Sequence, residues 1–307
     1  MRILLQFPQG LKQKAVEEAE KLRREGHDVF LSATPCWGAC DLALDEAKKI
    51  KAERLIHYGH AQYHEVKDKG LTVEYRLYPI TVDLEVLRQA LPRLAPYRRL
   101  GLVTTVSHIH QLEDMKRILR EGDPAHPHEV LTARGGLAIL EGQVLGCDSS
   151  AADKLVKEVD ATVYFGGGEF HPLGIGADKP VLSVSPYART SYFLNEKIEK
   201  KRKQMQGMLI AASQAKRIGI LVSTKSGQFN LLAAEAARKK LAGMGIESEI
   251  LVTAEVDFGS LADFNSFDAY ITTACPRLVD DYERVGKPIV NLTQMAELFE
   301  LAKKTRE

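Results

Sequence analysis

The segment Arg2-Ile3-Leu4-Leu5-Gln6-Phe7 decides the fold, because two similar segments begin near one third and two thirds of the chain. These are Arg99-Leu100-Gly101-Leu102-Val103-Thr104 and Arg217-Ile218-Gly219-Ile220-Leu221-Val222. Each is a nearly continuous apolar run that follows a basic residue, which is typical of a parallel strand buried on both faces. The three segments therefore predict three similar buried strands.

A helical pattern follows each of these strands, with apolar residues three or four positions apart and a glycine after the last of them. We predict these helices at residues 11–25, 111–120 and 231–242. Strand, helix and strand then recur, so the pattern indicates an α/β protein built from three similar small domains with parallel sheets. We expect the domains at residues 1–95, 96–194 and 195–307.

The composition excludes several classes of protein. The 307 residues are 45% hydrophobic and 27% charged, and 42 basic against 41 acidic side chains leave a net charge of +1. This balance lacks the basic excess of a protein that binds nucleic acid directly. No run reaches the roughly 18 apolar residues that a membrane span requires. Because the chain opens on a strand pattern rather than a signal peptide, we expect a cytoplasmic protein.

Charged residues at 195–203 predict the solvated face of a helix that connects the second and third domains. A phosphate-binding patch is the alternative interpretation of the same run.

Three of the four cysteines are predicted at the carboxyl ends of strands, the edge where open α/β sheets bind their ligands. Cys40 and Cys147 occupy equivalent places in the first two repeats, and an aspartate follows each. Cys275 precedes Pro276, which is placed to open a helix. Three repeats that face a common centre would bring these thiolates together, and three soft sulfur ligands indicate an iron–sulfur cluster or zinc.

Cys36 and three histidines suggest other metal interpretations. Cys36-x₃-Cys40 resembles the start of the C-x₃-C-x₂-C loop of common radical S-adenosylmethionine enzymes, but Ala43 occupies the third position. We therefore predict that Cys36 is not a ligand. His57, His60 and His64 have a spacing that zinc could use. Since a strand is predicted to end at Tyr58, a loop histidine that faces the shared centre is favoured over a second metal site.

Two polar loops follow strands of the second and third repeats. Residues 165–172 (FGGGEFHP) contain three glycines, whose lack of side chains lets a ligand approach the backbone closely. A glycine-rich turn without a ligand has the same composition. Residues 223–228 (STKSGQ) offer backbone amides and Lys225 to a carboxylate or phosphate. Neither loop has the glycine pattern of a dinucleotide site or a P-loop.

Together these residues resemble the archaeal diphthamide synthase subunits, over essentially the whole chain. The most specific parts are five motifs: Gly38-Ala39-Cys40-Asp41, Leu55-Ile56-His57-Tyr58-Gly59-His60, Leu145-Gly146-Cys147, Phe165-Gly166-Gly167-Gly168-Glu169-Phe170-His171, and Ala274-Cys275-Pro276-Arg277 with Asp280-Asp281. Trp37 stands where the family usually has tyrosine, and Cys36 is additional.

The resemblance implies a transferase and a homodimer in which Cys40, Cys147 and Cys275 hold a 4Fe–4S cluster. S-adenosylmethionine would be the cosubstrate, and its 3-amino-3-carboxypropyl group would pass as a radical to a histidine of translation elongation factor 2. An electron donor is required as a further partner. Candidate S-adenosylmethionine contacts are Gly167, Gly168, His171, Gln228 and Arg277, and Arg277 could pair bidentately with the methionine carboxylate.

Two alternatives remain at this point. Quinolinate synthase, a 4Fe–4S dehydratase, also places three cysteines from three similar domains on one cluster at this chain length. A protein that binds a nucleotide-like ligand without any cluster is the non-enzymatic alternative.

Overall fold

The computed structural model describes residues 1–66, 68, 70–176 and 178–306. The chain divides into two compact units, Met1–Glu199 and Lys200–Glu307. Among the described residues, no helix has both the length and the apolar character needed to cross a bilayer.

The first sheet lies in the first unit and is entirely parallel, with strand order β2-β1-β3-β4. Its elements, in chain order, are β1 (Arg2–Gln6), α1 (Lys12–Arg24), β2 (Asp28–Leu31), α2 (Leu44–Lys49), β3 (Arg54–Tyr58) and β4 (Thr72–Arg76).

The second sheet also lies in the first unit and has strand order β6-β5-β7-β8-β9, with only β9 antiparallel to its neighbour. Its elements are α3 (Glu85–Leu94), β5 (Arg99–Thr104), α4 (Leu112–Glu121), β6 (Glu129–Leu131), α5 (Ser150–Asp153), β7 (Ala161–Phe165), β8 (Val181–Ser185) and β9 (Thr190–Phe193).

The third sheet lies in the second unit and is parallel, with order β11-β10-β12-β13. The helix α6 (Asn195–Ser213) leads into it and contains the predicted charged run 195–203. The remaining elements are β10 (Arg217–Ser223), α7 (Leu231–Ala242), β11 (Glu247–Thr253), α8 (Phe258–Ala262), β12 (Ala269–Thr272), α9 (Tyr282–Val285), β13 (Ile289–Asn291) and α10 (Met295–Arg306).

All three sheets share one strand order: second, first, third, fourth. The prediction of an α/β protein with three similar, mainly parallel sheets is confirmed. In each sheet the second strand lies on one side of the first strand, and the third strand lies on its other side. The crevice between the carboxyl ends of these two strands is the usual ligand position in such folds. The exact division into three domains stays a prediction.

The first strand of each sheet is buried on both faces, as the apolar runs predict. In β1, Ile3 and Leu5 belong to one buried cluster and Leu4 to another. In β10, Ile220 and Leu221 likewise belong to two different clusters. Because side chains alternate along a strand, a run of apolar residues supplies both layers of core at once.

One predicted strand is wrong. The segment before Cys147 forms only isolated bridges, from Gln143 to Thr104 and from Leu145 to Asp148. Because β6 pairs only with residues 99–101 of β5, residues 142–144 meet the free edge of that strand at Thr104 alone. The helix that follows Cys147 is short, since α5 ends at Asp153 and turns follow it.

Candidate functional site

A buried glutamine at the end of β1 ties the Cys40 loop to the first sheet. Gln6 is 1% exposed, and its Nε2 donates a hydrogen bond of 2.6 Å to the carbonyl of Asp41. Its Oε1 accepts hydrogen bonds from the Ala43 amide, at 3.1 Å, and from His57 Nδ1, at 2.9 Å. Gln6 and His57 are register partners on β1 and β3, so these contacts lie in the crevice where the strand order reverses.

These hydrogen bonds fix the tautomers of two histidines. Since Gln6 Oε1 can only accept, His57 Nδ1 is the donor and His57 Nε2 carries a lone pair. That nitrogen lies 2.9 Å from His60 Nδ1, which must therefore be the donor of their hydrogen bond. Burial lowers the pKa of His57 to about 3 and that of His60 to about 4. Both imidazoles are thus neutral at physiological pH.

The turn after β3 brings His60 back onto His57. Gly59 has a φ of +81°, and a β-carbon at this position would lie 3.0 Å from Pro8 Cγ. A side chain would therefore be strained by the backbone conformation and crowded by Pro8. Glycine at position 59 is therefore a structural requirement of this turn.

Cys36 joins the two histidines. Its sulfur and one ring nitrogen each of His57 and His60 lie within 4.8 Å of one another. The Cys36 side chain is buried, and this burial, with the nearby Asp41 charge, raises the pKa of the thiol to about 12. His64, the third histidine of the predicted spacing, is not part of this group. That Cys36 is not a cluster ligand stays a prediction, but the structure gives it two neighbours that the sequence analysis did not assign.

Cys40 lies at the end of a tight turn in the loop between β2 and α2. The amide of Asp41 donates to the carbonyl of Gly38 at 3.0 Å, and Asp41 Oδ2 accepts from the amide of Trp37 at 3.3 Å. The Cys40 thiol is half-buried and is not in a disulfide. The Asp side chain after the cysteine therefore shapes the loop.

Cys147 occupies the tip of a second turn, which is closed by paired backbone hydrogen bonds between Leu145 and Asp148. Asp148 Oδ2 accepts from the amides of Leu137, at 2.6 Å, and Ala138, at 3.0 Å. Its Oδ1 accepts from the amide and hydroxyl of Ser150. Burial alone would raise the pKa of Asp148, but these hydrogen bonds outweigh it and hold the pKa below its ordinary value.

The ring of Phe170 lies directly against Gly146, where a β-carbon would overlap it. The Gly before Cys147 is therefore needed for close packing. Phe170 belongs to the glycine-rich segment after β7, so this contact links the two motifs that the sequence analysis treated separately.

The candidate S-adenosylmethionine contacts of the first unit follow β7. Gly167 lies beside the ring of Tyr187, from which a β-carbon would be 3.0 Å away. Gly168 is the next residue of this turn, and the ring of His171 is stacked at 6.3 Å from that of Tyr164. Gly167, Gly168 and His171 thus occupy one short segment at the carboxyl end of the second sheet.

Cys275 lies in the second unit, just after β12, and caps a 3₁₀ helix over Pro276–Asp281. Pro276 opens that helix, as the sequence predicts. Burial raises the pKa of the Cys275 thiol, while the backbone amide and positive charge of Arg277 partly offset this effect. The thiol is half-buried and not in a disulfide.

Arg277 is held by a network of charges. Its Nη2 lies 2.6 Å from Asp280 Oδ2, and Lys201 Nζ lies 2.7 Å from Asp280 Oδ1. Gln228 lies in the loop before α7, where its backbone amide donates to the backbone carbonyl of Lys225 at 2.9 Å. Lys225 itself is paired with Glu255. The two candidate contacts of the second unit therefore lie in polar loops after β12 and β10.

Sequence reasoning missed Gln6 and the bonding role of Asp148. A signal for Gln6 was present, because a polar residue ends an otherwise apolar strand. No signal identified the amides that Asp148 binds, since Leu137 and Ala138 are ten or more positions away.

A family described as "Putative diphthamide synthesis protein" matches residues 7–307. The chain belongs to this diphthamide synthesis family. Among its relatives, the 2-(3-amino-3-carboxypropyl)histidine synthase of Pyrococcus horikoshii is 33% identical, over 98% of this chain and 86% of the relative. The synthase of Methanocaldococcus jannaschii is 25% identical, over 94% and 81% of the two chains.

Solved structures of the diphthamide synthesis family are also similar. The crystal structure of Dph2 from Pyrococcus horikoshii aligns with a TM-score of 0.86 and 31% identity, covering 98% of this chain and 86% of that chain. A crystal structure of the same protein with a 4Fe–4S cluster gives the same values.

Proposed function

We propose that this protein transfers the 3-amino-3-carboxypropyl group of S-adenosylmethionine to a histidine of translation elongation factor 2, the first step of diphthamide biosynthesis. The observation that carries this proposal is the near full-length similarity to 2-(3-amino-3-carboxypropyl)histidine synthases. The required partners are the elongation factor, an electron donor and a second copy of the chain, and the compartment is the cytoplasm.

Cys40, Cys147 and Cys275 are the proposed ligands of a 4Fe–4S cluster. The donor set fits this group, because all three are half-buried thiols in loops and none is in a disulfide. When bound by three cysteines, such a cluster keeps one iron open and supplies the electron that cleaves a carbon–sulfur bond of S-adenosylmethionine. The cluster of the similar Dph2 crystal structure supports this assignment.

The chain's own residues hold these ligands in place. Asp41 and Asp148 bind backbone amides of the loops that carry Cys40 and Cys147. Each carboxylate accepts hydrogen bonds from its own loop and lies next to the cysteine in the chain. Loops held by side-chain hydrogen bonds lose less entropy when a ligand binds.

The proposed S-adenosylmethionine contacts are Gly167, Gly168, His171, Gln228 and Arg277. A guanidinium has five N–H donors. Arg277 can therefore pair with a methionine carboxylate while it keeps its bond to Asp280. Asp280 and Lys201 orient that guanidinium, and the position of the methionine part then selects which sulfonium bond is cleaved.

The product of cleavage tests the proposal. The reduced holoprotein is incubated anaerobically with S-adenosylmethionine and elongation factor 2, and small molecules and protein are analysed by mass spectrometry. We expect 5′-methylthioadenosine, together with a gain of one 3-amino-3-carboxypropyl group on a histidine of the factor. 5′-Deoxyadenosine as the main product, with no mass gain on the factor, would contradict the mechanism.

Cysteine variants test the ligand assignment in the same assay. Cys40→Ala, Cys147→Ala and Cys275→Ala should each lower bound iron and abolish modification, whereas Cys36→Ala should leave both nearly intact. Loss of iron in Cys36→Ala with retention in Cys40→Ala would overturn the assignment.

A further inference from the structure

We propose that Cys36, His57 and His60 form a zinc site at the carboxyl edge of the first sheet, distinct from the three proposed cluster cysteines. The inference is independent of the proposed transferase activity. It starts from one thiol and two imidazoles whose ligand atoms lie within 4.8 Å of one another.

The distances require only small movements for metal binding. With Zn–N bonds of about 2.0–2.1 Å and a Zn–S bond of about 2.3 Å, tetrahedral geometry separates ligand atoms by roughly 3.3–3.7 Å. His57 Nε2 and His60 Nδ1 are 2.9 Å apart, so the two rings need to separate by a few tenths of an ångström. The Cys36 sulfur, which lies no more than 4.8 Å from either nitrogen, would approach by up to about 1.3 Å.

A second shell for the site is already built. His57 Nδ1 donates to Gln6 Oε1, and Gln6 is itself held by Asp41 and Ala43. A ligating histidine normally has this arrangement, in which a protein oxygen accepts the hydrogen of the nitrogen that faces away from the metal. It leaves the His57 Nε2 lone pair directed at His60, where the metal would bind.

The protons of all three ligands can be accounted for when zinc binds. The Cys36 thiol binds as thiolate and releases its proton to solvent. His57 Nε2 has no proton to lose. His60 exchanges its Nδ1 proton for one on Nε2, and its Nδ1 lone pair then points to the metal in place of the present hydrogen bond.

Zinc is the metal that fits these donors best. One soft thiolate and two borderline imidazoles are a donor set that suits zinc, and three protein ligands leave a fourth position for water. The position of the site indicates a structural consequence. It would link the loop between β2 and α2, which carries both Cys36 and Cys40, to the end of β3, in addition to the link made by Gln6.

Metal content measured on the holoprotein tests the site. Anaerobically purified protein is dialysed against buffered sub-micromolar Zn²⁺, and zinc and iron are both quantified by mass spectrometry. We expect about one zinc per chain in addition to the iron. Cys36→Ser and His60→Gln should weaken zinc binding at least tenfold while iron is retained, and the matched control His64→Gln should bind zinc like the wild type.

X-ray absorption at the zinc edge gives a second readout that needs no variant. The expected spectrum contains one sulfur at about 2.3 Å and two nitrogens at about 2.0–2.1 Å. Zinc content that is equal in the wild type and in both ligand variants, or a zinc environment without sulfur, would overturn the site. Because iron and transfer activity are counted separately, failure of this proposal and failure of the proposed function are distinguishable.

Discussion

At the residue scale, the polar side chains that matter most are those placed at the ends of apolar strands. Gln6 and His57 are both fully buried, yet every polar atom of the Gln6 carboxamide has a partner. An unpaired buried carboxamide would cost roughly 1–3 kcal/mol, so such a network specifies one arrangement of the loop. His108, in the 3₁₀ helix that follows β5, is a similar case.

His108 predicts a pH dependence of stability. It is 1% exposed, its Nδ1 donates to the carbonyl of Ile80 at 2.9 Å, and its Nε2 accepts from the hydroxyl of Tyr187 at 3.0 Å. Burial lowers the pKa of His108, with a smaller contribution from His110, although the bond to Ile80 opposes the shift. The folded protein therefore keeps this histidine neutral where the unfolded chain already binds a proton.

The stabilisation of the folded protein by neutral His108 is fully present above pH 6.5, the ordinary histidine pKa. It is lost as the pH falls from 6.5 to the lower pKa that His108 has in the folded state. Its slope is at most about 1.4 kcal/mol per pH unit. Urea unfolding of the wild type and His108→Gln at pH 7, 6 and 5 checks this. The variant should be less stable at pH 7 and should lose stability less steeply with acid. An equal slope in both proteins would contradict the prediction.

At the element scale, the three repeats share a device that the sequence comparison did not identify. An acidic residue just before the third strand of each sheet accepts backbone hydrogen bonds at the start of the first strand. Glu53 accepts from the amide of Arg2, Asp160 from those of Arg98 and Arg99, and Asp268 from those of Lys216 and Arg217. The repeated device fixes the register of the two central strands.

Asp148 holds the turn at Cys147 by accepting backbone hydrogen bonds, as Asp160 does at the start of β5. Asp148→Asn removes the charge and one acceptor oxygen, so at least one of the amides of Leu137, Ala138 and Ser150 loses its partner. We expect a loss of roughly 1–3 kcal/mol in the free energy of unfolding. Bound iron should also fall, because the turn that presents Cys147 loosens.

Asp160→Asn is the matched control for this prediction. It also disturbs two backbone amides in the same unit, but these lie at the opposite end of β5 from Thr104, which contacts the segment leading to Cys147. Stability should fall while iron is retained. Equal iron in both variants would show that Asp148 does not position the cysteine. Urea unfolding and iron analysis on the same preparations give the two readouts.

At the scale of the whole molecule, three sheets of one strand order occur in a single chain. The family resemblance implies a symmetric pair of such chains, which suits a large protein substrate. We predict a C₂ homodimer, the commonest closed assembly. Light scattering at micromolar concentration should give twice the mass of the chain. A monomer under these conditions would count against the prediction.

The sequence by itself determined the repeated α/β architecture, the parallel central strands and the cysteine-bearing loops. It could do so because a strand buried on both faces needs an unbroken run of apolar residues, and because glycine commonly follows the last residue of a helix. Arg2–Phe7 and its two counterparts carry this pattern without reference to any distant residue. The family motifs, likewise, are local strings such as Gly38-Ala39-Cys40-Asp41.

Only the tertiary structure decided which polar groups meet. Gln6, Cys36, His57 and His60 come together because β1 and β3 are neighbours and the loop after β2 folds over their ends. The strand predicted before Cys147 failed for a related reason: the segment meets the free edge of β5 at Thr104 alone, and the length of edge that a segment can pair with is a property of the sheet. Contacts between residues far apart in the chain follow from strand order and register, and no local pattern encodes them.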